Sequence, residues 1–182
     1  MTDLQLIEKY KSWDIEAFGE IYEKYVDQIY KFVYLKVSSK QIAEDIVSEG
    51  FMKCLNSLEN FVPKCENSLK SWIYTIMYNL VKDYYRTKKE DINIDEVFSL
   101  WLEEHFWENL DNKEKLEEVV EFLQTLKVEQ RDILVMRIWN DLNYKEIAEI
   151  TWKSVDNCKQ IVSRVLKNIN ANLAVFLILM MI

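Results

Sequence analysis

Tyr144-Lys-Glu-Ile-Ala-Glu-Ile-Thr-Trp-Lys-Ser-Val-Asp-Asn-Cys-Lys-Gln-Ile-Val-Ser-Arg-Val-Leu-Lys-Asn-Ile169 reads as a helix, a tight turn and a second helix. Apolar residues recur at spacings of three and four, the period of one helix face. Ile147, Ile150, Val155, Ile161 or Val162, and Val165 hold the two helices together, and Ala148 is small where they cross. Ser154 is placed to cap the second helix, because a hydroxyl there can accept from an unpaired first-turn amide. That helix then carries Asp156, Asn157, Lys159, Gln160, Ser163, Arg164 and Lys167 on its polar faces. Amide, lysine and arginine side chains read base edges in a major groove and neutralise phosphates. An ordinary amphipathic hairpin has the same apolar pattern, so this stretch fixes helix packing before it fixes function.

The rest of the chain is helical on the same grounds. Two glycines and one proline occur in 182 residues, too few turn formers for a sheet protein with hairpins at short intervals. Apolar residues make up 49%, enough for buried cores. The fold class expected is all-α, as two small helical domains joined by an acidic linker. Phe18, Ile21, Tyr22, Tyr25, Ile29, Phe32 and Val33 mark one helix face. A second helix runs from about Ser39 to Leu58, with Ile42, Ile46, Val47, Phe51 and Leu55 inward. Pro63 and its polar neighbours make the clearest loop. Ser68 then caps a third helix, Leu69 to Lys88, rich in Trp72, Tyr74, Tyr78, Tyr84 and Tyr85 and ending in the basic run Arg86-Thr-Lys-Lys89. A last helical domain spans about Leu116 to Leu173.

Charge divides the chain further. Residues 1–90 hold 13 basic and 14 acidic side chains, a balance of −1; 91–130 hold 3 and 12, a balance of −9; 131–182 hold 7 and 5, a balance of +2. The net −8 is concentrated in one middle segment, and both flanks can approach a polyanion. Cys54, Cys65 and Cys158 form no Cys-x-x-Cys pair and the single His105 has no ligand neighbour, so neither a metal site, a disulfide framework nor any other cofactor is expected. A reducing, cytoplasmic setting follows from that cysteine usage, and residues 1–5 have no basic and apolar leader. No nucleophile–His–acid set, phosphate loop or His-Glu-x-x-His motif supports catalysis.

Two upstream segments, Ala43-Glu-Asp-Ile-Val-Ser-Glu-Gly-Phe51 and Ser71-Trp-Ile-Tyr-Thr-Ile-Met-Tyr-Asn-Leu-Val-Lys-Asp-Tyr-Tyr-Arg86, are preceded by Ala17-Phe18 and Ile21-Tyr22-x-x-Tyr25. In this order, with the helix-turn-helix behind them, they resemble regions 2 and 4 of the extracytoplasmic-function group of sigma-70-type RNA polymerase sigma factors. The resemblance covers roughly residues 4–90 and 114–170. It implies a non-enzymatic factor that directs RNA polymerase to promoters and assists their melting. Four parts follow: region 2 at 1–90, acidic linker at 91–113, region 4 at 114–173, and an apolar tail at 174–182. A helix-turn-helix repressor or activator acting without polymerase is the competing reading; it leaves the two upstream segments unexplained.

Residue roles carried by the resemblance are as follows. Glu44, Asp45, Glu49 and the aromatic anchor Phe51 would dock on core polymerase. Asn79 would catch an extruded base of the −10 element, with Lys82, Arg86, Lys88 and Lys89 on the backbone. Trp72 is expected in the core, while Tyr84 and Tyr85 fit either role. Lys153, Asn157, Lys159, Gln160, Ser163, Arg164 and Lys167 would engage the −35 element. The acidic segment is either an RNA mimic in a basic channel or a solvated tether. The partners implied are core polymerase, promoter DNA and an anti-sigma factor. The ten consecutive apolar residues ending at Ile182 fall short of the roughly 20 that span a bilayer; folding back or contact with another copy is the preferred reading. Two positions depart from the family pattern. Trp152 and Trp13 stand where the family places a helix-ending glycine, so either the turns rearrange or these positions are not truly tryptophan. Six Trp beside two Gly is a lopsided ratio.

Overall fold

The computed structural model describes residues 1–37, 39–65, 68–88, 122, 125–138, 140 and 142–168, with the backbone alone at 35 and 88. Among them are seven helices and no strand. The chain divides into two compact units, residues 1–92 and 93–182. The acidic segment and the apolar tail lie outside the described residues.

The first unit contains α1 (Asp3–Lys11), α2 (Glu16–Val37), α3 (Lys40–Leu58) and α4 (Ser68–Lys88). Its boundaries have identifiable causes. Thr2 caps α1 reciprocally with Gln5: the Gln5 amide donates to the Thr2 hydroxyl at 3.3 Å, and the Thr2 amide donates to Gln5 Oε1 at 2.9 Å. Ser39 caps α3 from an extended backbone, accepting from the Ile42 amide. Ser68 behaves differently from expectation. It is the first residue of α4, and its hydroxyl accepts from the Lys64 and Cys65 amides at 2.9 and 2.7 Å. The hydroxyl thus ties down the loop in front of the helix rather than the helix's own amides.

Periodicity placed the core well but not completely. On α2 the buried stripe is Ala17, Ile21, Tyr25, Ile29, Phe32 and Val33. Phe18 is half-buried and Tyr22 is 42% exposed, because they lie at the edge of an apolar stripe wider than the contact. α3 contributes Ala43, Ile46, Val47, Phe51, Cys54 and Leu58, and α4 contributes Leu69, Ile73, Tyr74, Met77, Leu80 and Val81. The Phe32 and Tyr74 rings meet edge to face, centroids 5.0 Å apart. α3 and α4 approach closely at Gly50, where a Cβ would collide with the Met77 thioether. Burial pushes the Cys54 thiol up to about 12, against a weaker lowering by a backbone hydrogen bond.

One buried acid holds the first two helices together. Asp3 is 6% exposed; its carboxylate accepts from Lys24 Nζ and Tyr25 Oη, each at 2.6 Å. A charged carboxylate out of water is costly unless it is paired in this way.

The second unit contains α5 (Val128–Ile138), α6 (Tyr144–Thr151) and α7 (Val155–Asn168), each packed on the other two. Ile133, Leu134, Met136, Leu142, Ile147, Ile150 and Cys158 are fully buried. Val162 and Val165 are the inward residues of α7, while Ile161 is half-buried, so Val162 takes the core position. Asn143 caps α6: its Oδ1 accepts from the Lys145 and Glu146 amides, and Glu146 Oε2 accepts from the Asn143 amide at 2.6 Å. Thr151 ends α6, and Trp152 follows at φ 57°, ψ 36°. The turn keeps its left-handed residue and does not rearrange.

Candidate nucleic-acid interface

In the second unit, α7 is amphipathic with a sharp division. Cys158, Val162 and Val165 face the core. Asp156, Asn157, Lys159, Gln160, Ser163, Arg164 and Lys167 are all exposed. Ser154 accepts from the Asn157 amide at 3.2 Å, so this serine caps α7 as expected and fixes where the helix starts. The exposed cations are not equally available. Lys153 is only 21% exposed and pairs with Glu129 of α5 at 3.1 Å. Lys159 lies 3.9 Å from Asp156, a loose pair that water competes with. The helix thus offers two amides, a hydroxyl and three cations on one outward face, held by a packed hairpin.

In the first unit, α4 carries Asn79, Lys82 and Arg86 at spacings of three and four, all exposed, which puts them on one stripe. Lys82 Nζ stands 5.6 Å from the Tyr78 ring centroid, and Arg86 pairs with Asp83 at 3.2 Å. Lys88 is the last residue of α4, its side chain not described, and Lys89 lies outside the described residues. Trp72 stacks on Phe61, centroids 4.5 Å apart and planes 27° apart, a half-buried packing role that agrees with its expected place. Tyr84 and Tyr85 meet edge to face at 5.4 Å and are both half-buried.

The acidic patch is on α3. Glu44, Asp45 and Glu49 are exposed, with Glu49 paired to Lys53 at 2.8 Å. Phe51 lies on the inward stripe of α3, where its spacing places it. It is 4% exposed, its ring packed against Tyr22 at 4.8 Å. The outward apolar residue beside the acids is Met52, 56% exposed and seven positions after Asp45, two helical turns away. Sequence reasoning missed Met52, although that spacing could have found it.

Lys36 was also missed. It is 7% exposed, with its ammonium 4.9 Å from the Phe32 centroid and 5.6 Å from that of Tyr78. Its charge sits on the aromatic seam beneath the α4 stripe. Among the described residues no group of three or more His, Cys, Asp or Glu could hold a metal ion. No helix among them is long and apolar enough to cross a membrane.

An acid-faced helix, an aromatic helix with an amide-and-cation stripe, and a separate helix-turn-helix together define a modular nucleic-acid-binding factor. Comparison gives its family. Residues 21–90 match Sigma-70 region 2 and residues 116–169 match Sigma-70, region 4. The RNA polymerase sigma factor SigV of Bacillus subtilis is 30% identical over 142 residues, 76% of this chain and 80% of that protein. The ECF RNA polymerase sigma factor SigM of Bacillus subtilis is 25% identical over 156 residues, 85% of this chain and 94% of that protein. With the ECF RNA polymerase sigma factor BldN of Streptomyces coelicolor the match is 26% over 174 residues, 91% of this chain but 64% of that longer protein. Among solved structures, CnrH in complex with the cytosolic domain of CnrY matches with a TM-score of 0.67 at 19% identity, over 96% of both chains. The sigma factor RpoE of Bartonella quintana, bound to the anti-sigma factor NepR, matches at 0.60 and 19%, over 90% of this chain and 97% of that one. At that identity the two likenesses concern the fold.

The chain belongs to the extracytoplasmic-function group of the sigma-70 family of RNA polymerase sigma factors. Members direct RNA polymerase to promoters and are initiation factors, not enzymes.

Proposed function

We propose that the two units divide the work of promoter recognition between them, within a cytoplasmic factor. Residues 1–90 form the polymerase-docking and −10-binding part, 91–113 a linker, 114–173 the −35-binding part, and 174–182 an apolar tail. Glu44, Asp45 and Glu49 on α3 meet a basic helical surface of core polymerase, with Met52 as the apolar contact and Phe51 holding the helix from below. Acid faces opposed to basic ones steer encounter and fix register. Asn79 hydrogen-bonds a base taken out of the stack, where an amide can read a Watson–Crick edge. Lys82 and Arg86 hold the adjoining phosphates, with Lys88 and Lys89 continuing the basic run. Asn157, Lys159, Gln160, Ser163, Arg164 and Lys167 lie along the upstream duplex, and Lys153 leaves Glu129 for a phosphate as the helix docks. An anti-sigma partner, of the kind that NepR is for RpoE of Bartonella quintana, would compete for the same polar faces.

The observation that carries this reading is α7: every polar residue proposed for duplex contact there is exposed, while its apolar residues are committed to the core. Run-off transcription with core polymerase and this chain tests the assignment. Asn79→Ala should abolish product from a duplex promoter yet leave product from a template already unpaired across the −10 element. Equal loss on both templates would remove Asn79 from melting.

A further inference from the structure

Both helices that end in a left-handed turn here do so with the same residue. α1 closes with the Asp14 amide donating to the Lys9 carbonyl at 3.1 Å across Trp13, whose φ is 71°. α6 closes with the Lys153 amide donating to the Ala148 carbonyl at 3.1 Å across Trp152, whose φ is 57°. In each, an amide reaches back five residues over a left-handed one, the arrangement that helix ends adopt with glycine. A Cβ in that region meets the following carbonyl, and a bulky side chain makes it a true outlier. Trp13 and Trp152 are the only non-glycine residues of positive φ among the described residues.

Neither indole is compensated by packing. Trp13 is 85% exposed and Trp152 77% exposed. The chain's own glycines are not where the backbone needs them: Gly19 and Gly50 lie inside α2 and α3, and neither has positive φ. The chain has six tryptophans and two glycines, and among the described residues the two glycine-demanding turns both hold tryptophan. A tryptophan retained to touch DNA or a partner would account for one such site. It does not account for two, in separate units, with the same backbone and the same lack of cover.

One cause covers both. UGA is read as tryptophan under some reassigned codes and can equally be read as glycine by a cell whose UGA-decoding tRNA carries that amino acid. We propose that positions 13 and 152 are glycine in the protein as its own cell makes it, each encoded by UGA. The turn between α6 and α7 is then unstrained, and the surface beside the start of α7 carries no indole. Trp72 is the internal control. It is half-buried, stacked on Phe61 within α4, and has a packing reason to be tryptophan.

The test is to read codons 13, 72 and 152 of the gene and to identify the residues by peptide mass spectrometry of the protein isolated from its own cells. The expected result is UGA at 13 and 152 with UGG at 72. The two corresponding peptides should be lighter by the difference between a tryptophan and a glycine residue. UGG at codon 13 or 152, or tryptophan in either natural peptide, overturns the proposal. A stability measurement checks the physical premise separately. In the chain with tryptophan at all three positions, Trp13→Gly and Trp152→Gly should each raise the folded-to-unfolded ratio of their unit by about threefold. That figure is the relief of the left-handed strain less the extra chain entropy of glycine. Trp72→Gly should lower the ratio at least as far. A fall at both 13 and 152 would refute the strain argument.

Discussion

Phe32→Leu perturbs the contact that sets α4 against α2 while keeping most of the apolar volume. The Phe32 ring is fully buried, meets Tyr74 edge to face at 5.0 Å and lies under the Lys36 ammonium at 4.9 Å. Replacement by a similar-sized aliphatic costs under about 1.5 kcal/mol when repacking is possible. Loss of the aromatic pair adds about 0.5–1.5 kcal/mol, and loss of a desolvated cation–ring contact adds about 1–2 kcal/mol. The expected destabilisation of the first unit is therefore about 2–4 kcal/mol, within the usual range for a core substitution. Native-state hydrogen exchange of the slowest α2 and α4 amides measures it in the full chain without interference from the second unit. A double-mutant cycle with Lys36→Met isolates the cation–ring part, for which we expect a coupling of about 1 kcal/mol. Destabilisation below about 1 kcal/mol, together with zero coupling, would mean that the seam does not hold α4.

Three further outcomes are expected. Cys54 should resist a thiol reagent at pH 8 while exposed Cys65 reacts. Because its folded pKa lies near 12 against 9.0 unfolded, its contribution to stability is full below pH 9 and is lost between about 9 and 12, measurable against Cys54→Ala; a flat difference across that window would contradict the burial argument. Asn143→Ala removes the side-chain half of the α6 capping box, the Oδ1 that accepts from the Lys145 and Glu146 amides, and should destabilise the second unit by about 1 kcal/mol in urea unfolding; no change would mean the cap is redundant. Arg164→Ala should weaken duplex promoter binding by about 1–3 kcal/mol if it reads a base, whereas a mere reduction in salt slope would reassign it to a phosphate.

The sequence was most legible where one period decided the outcome. In α7 the inward residues and the exposed polar ones separate cleanly, and Ser154 announces the start of the helix. Periodicity could not distinguish a residue at the rim of an apolar stripe from one at its centre, so Tyr22 and Phe51 appeared alike although one is exposed and the other sealed. It was also blind to pairing across long separations. Asp3 with Lys24 and Tyr25, Lys153 with Glu129, and Lys36 over Tyr78 all depend on helix packing that no local pattern encodes. The left-handed turns were visible as departures at Trp13 and Trp152. Only the backbone revealed that both turns keep the geometry a glycine would have.

Co-sedimentation of the full chain with core RNA polymerase, compared with a chain carrying Glu44→Lys, Asp45→Lys and Glu49→Lys, tests the division of labour most directly. The account predicts a stable complex for the first chain, and for the second a folded protein that no longer associates. The charge-reversed chain should still bind a −35 duplex through α7. Undiminished binding to polymerase by the reversed chain, or failure of the unaltered chain to associate in any salt, would contradict it.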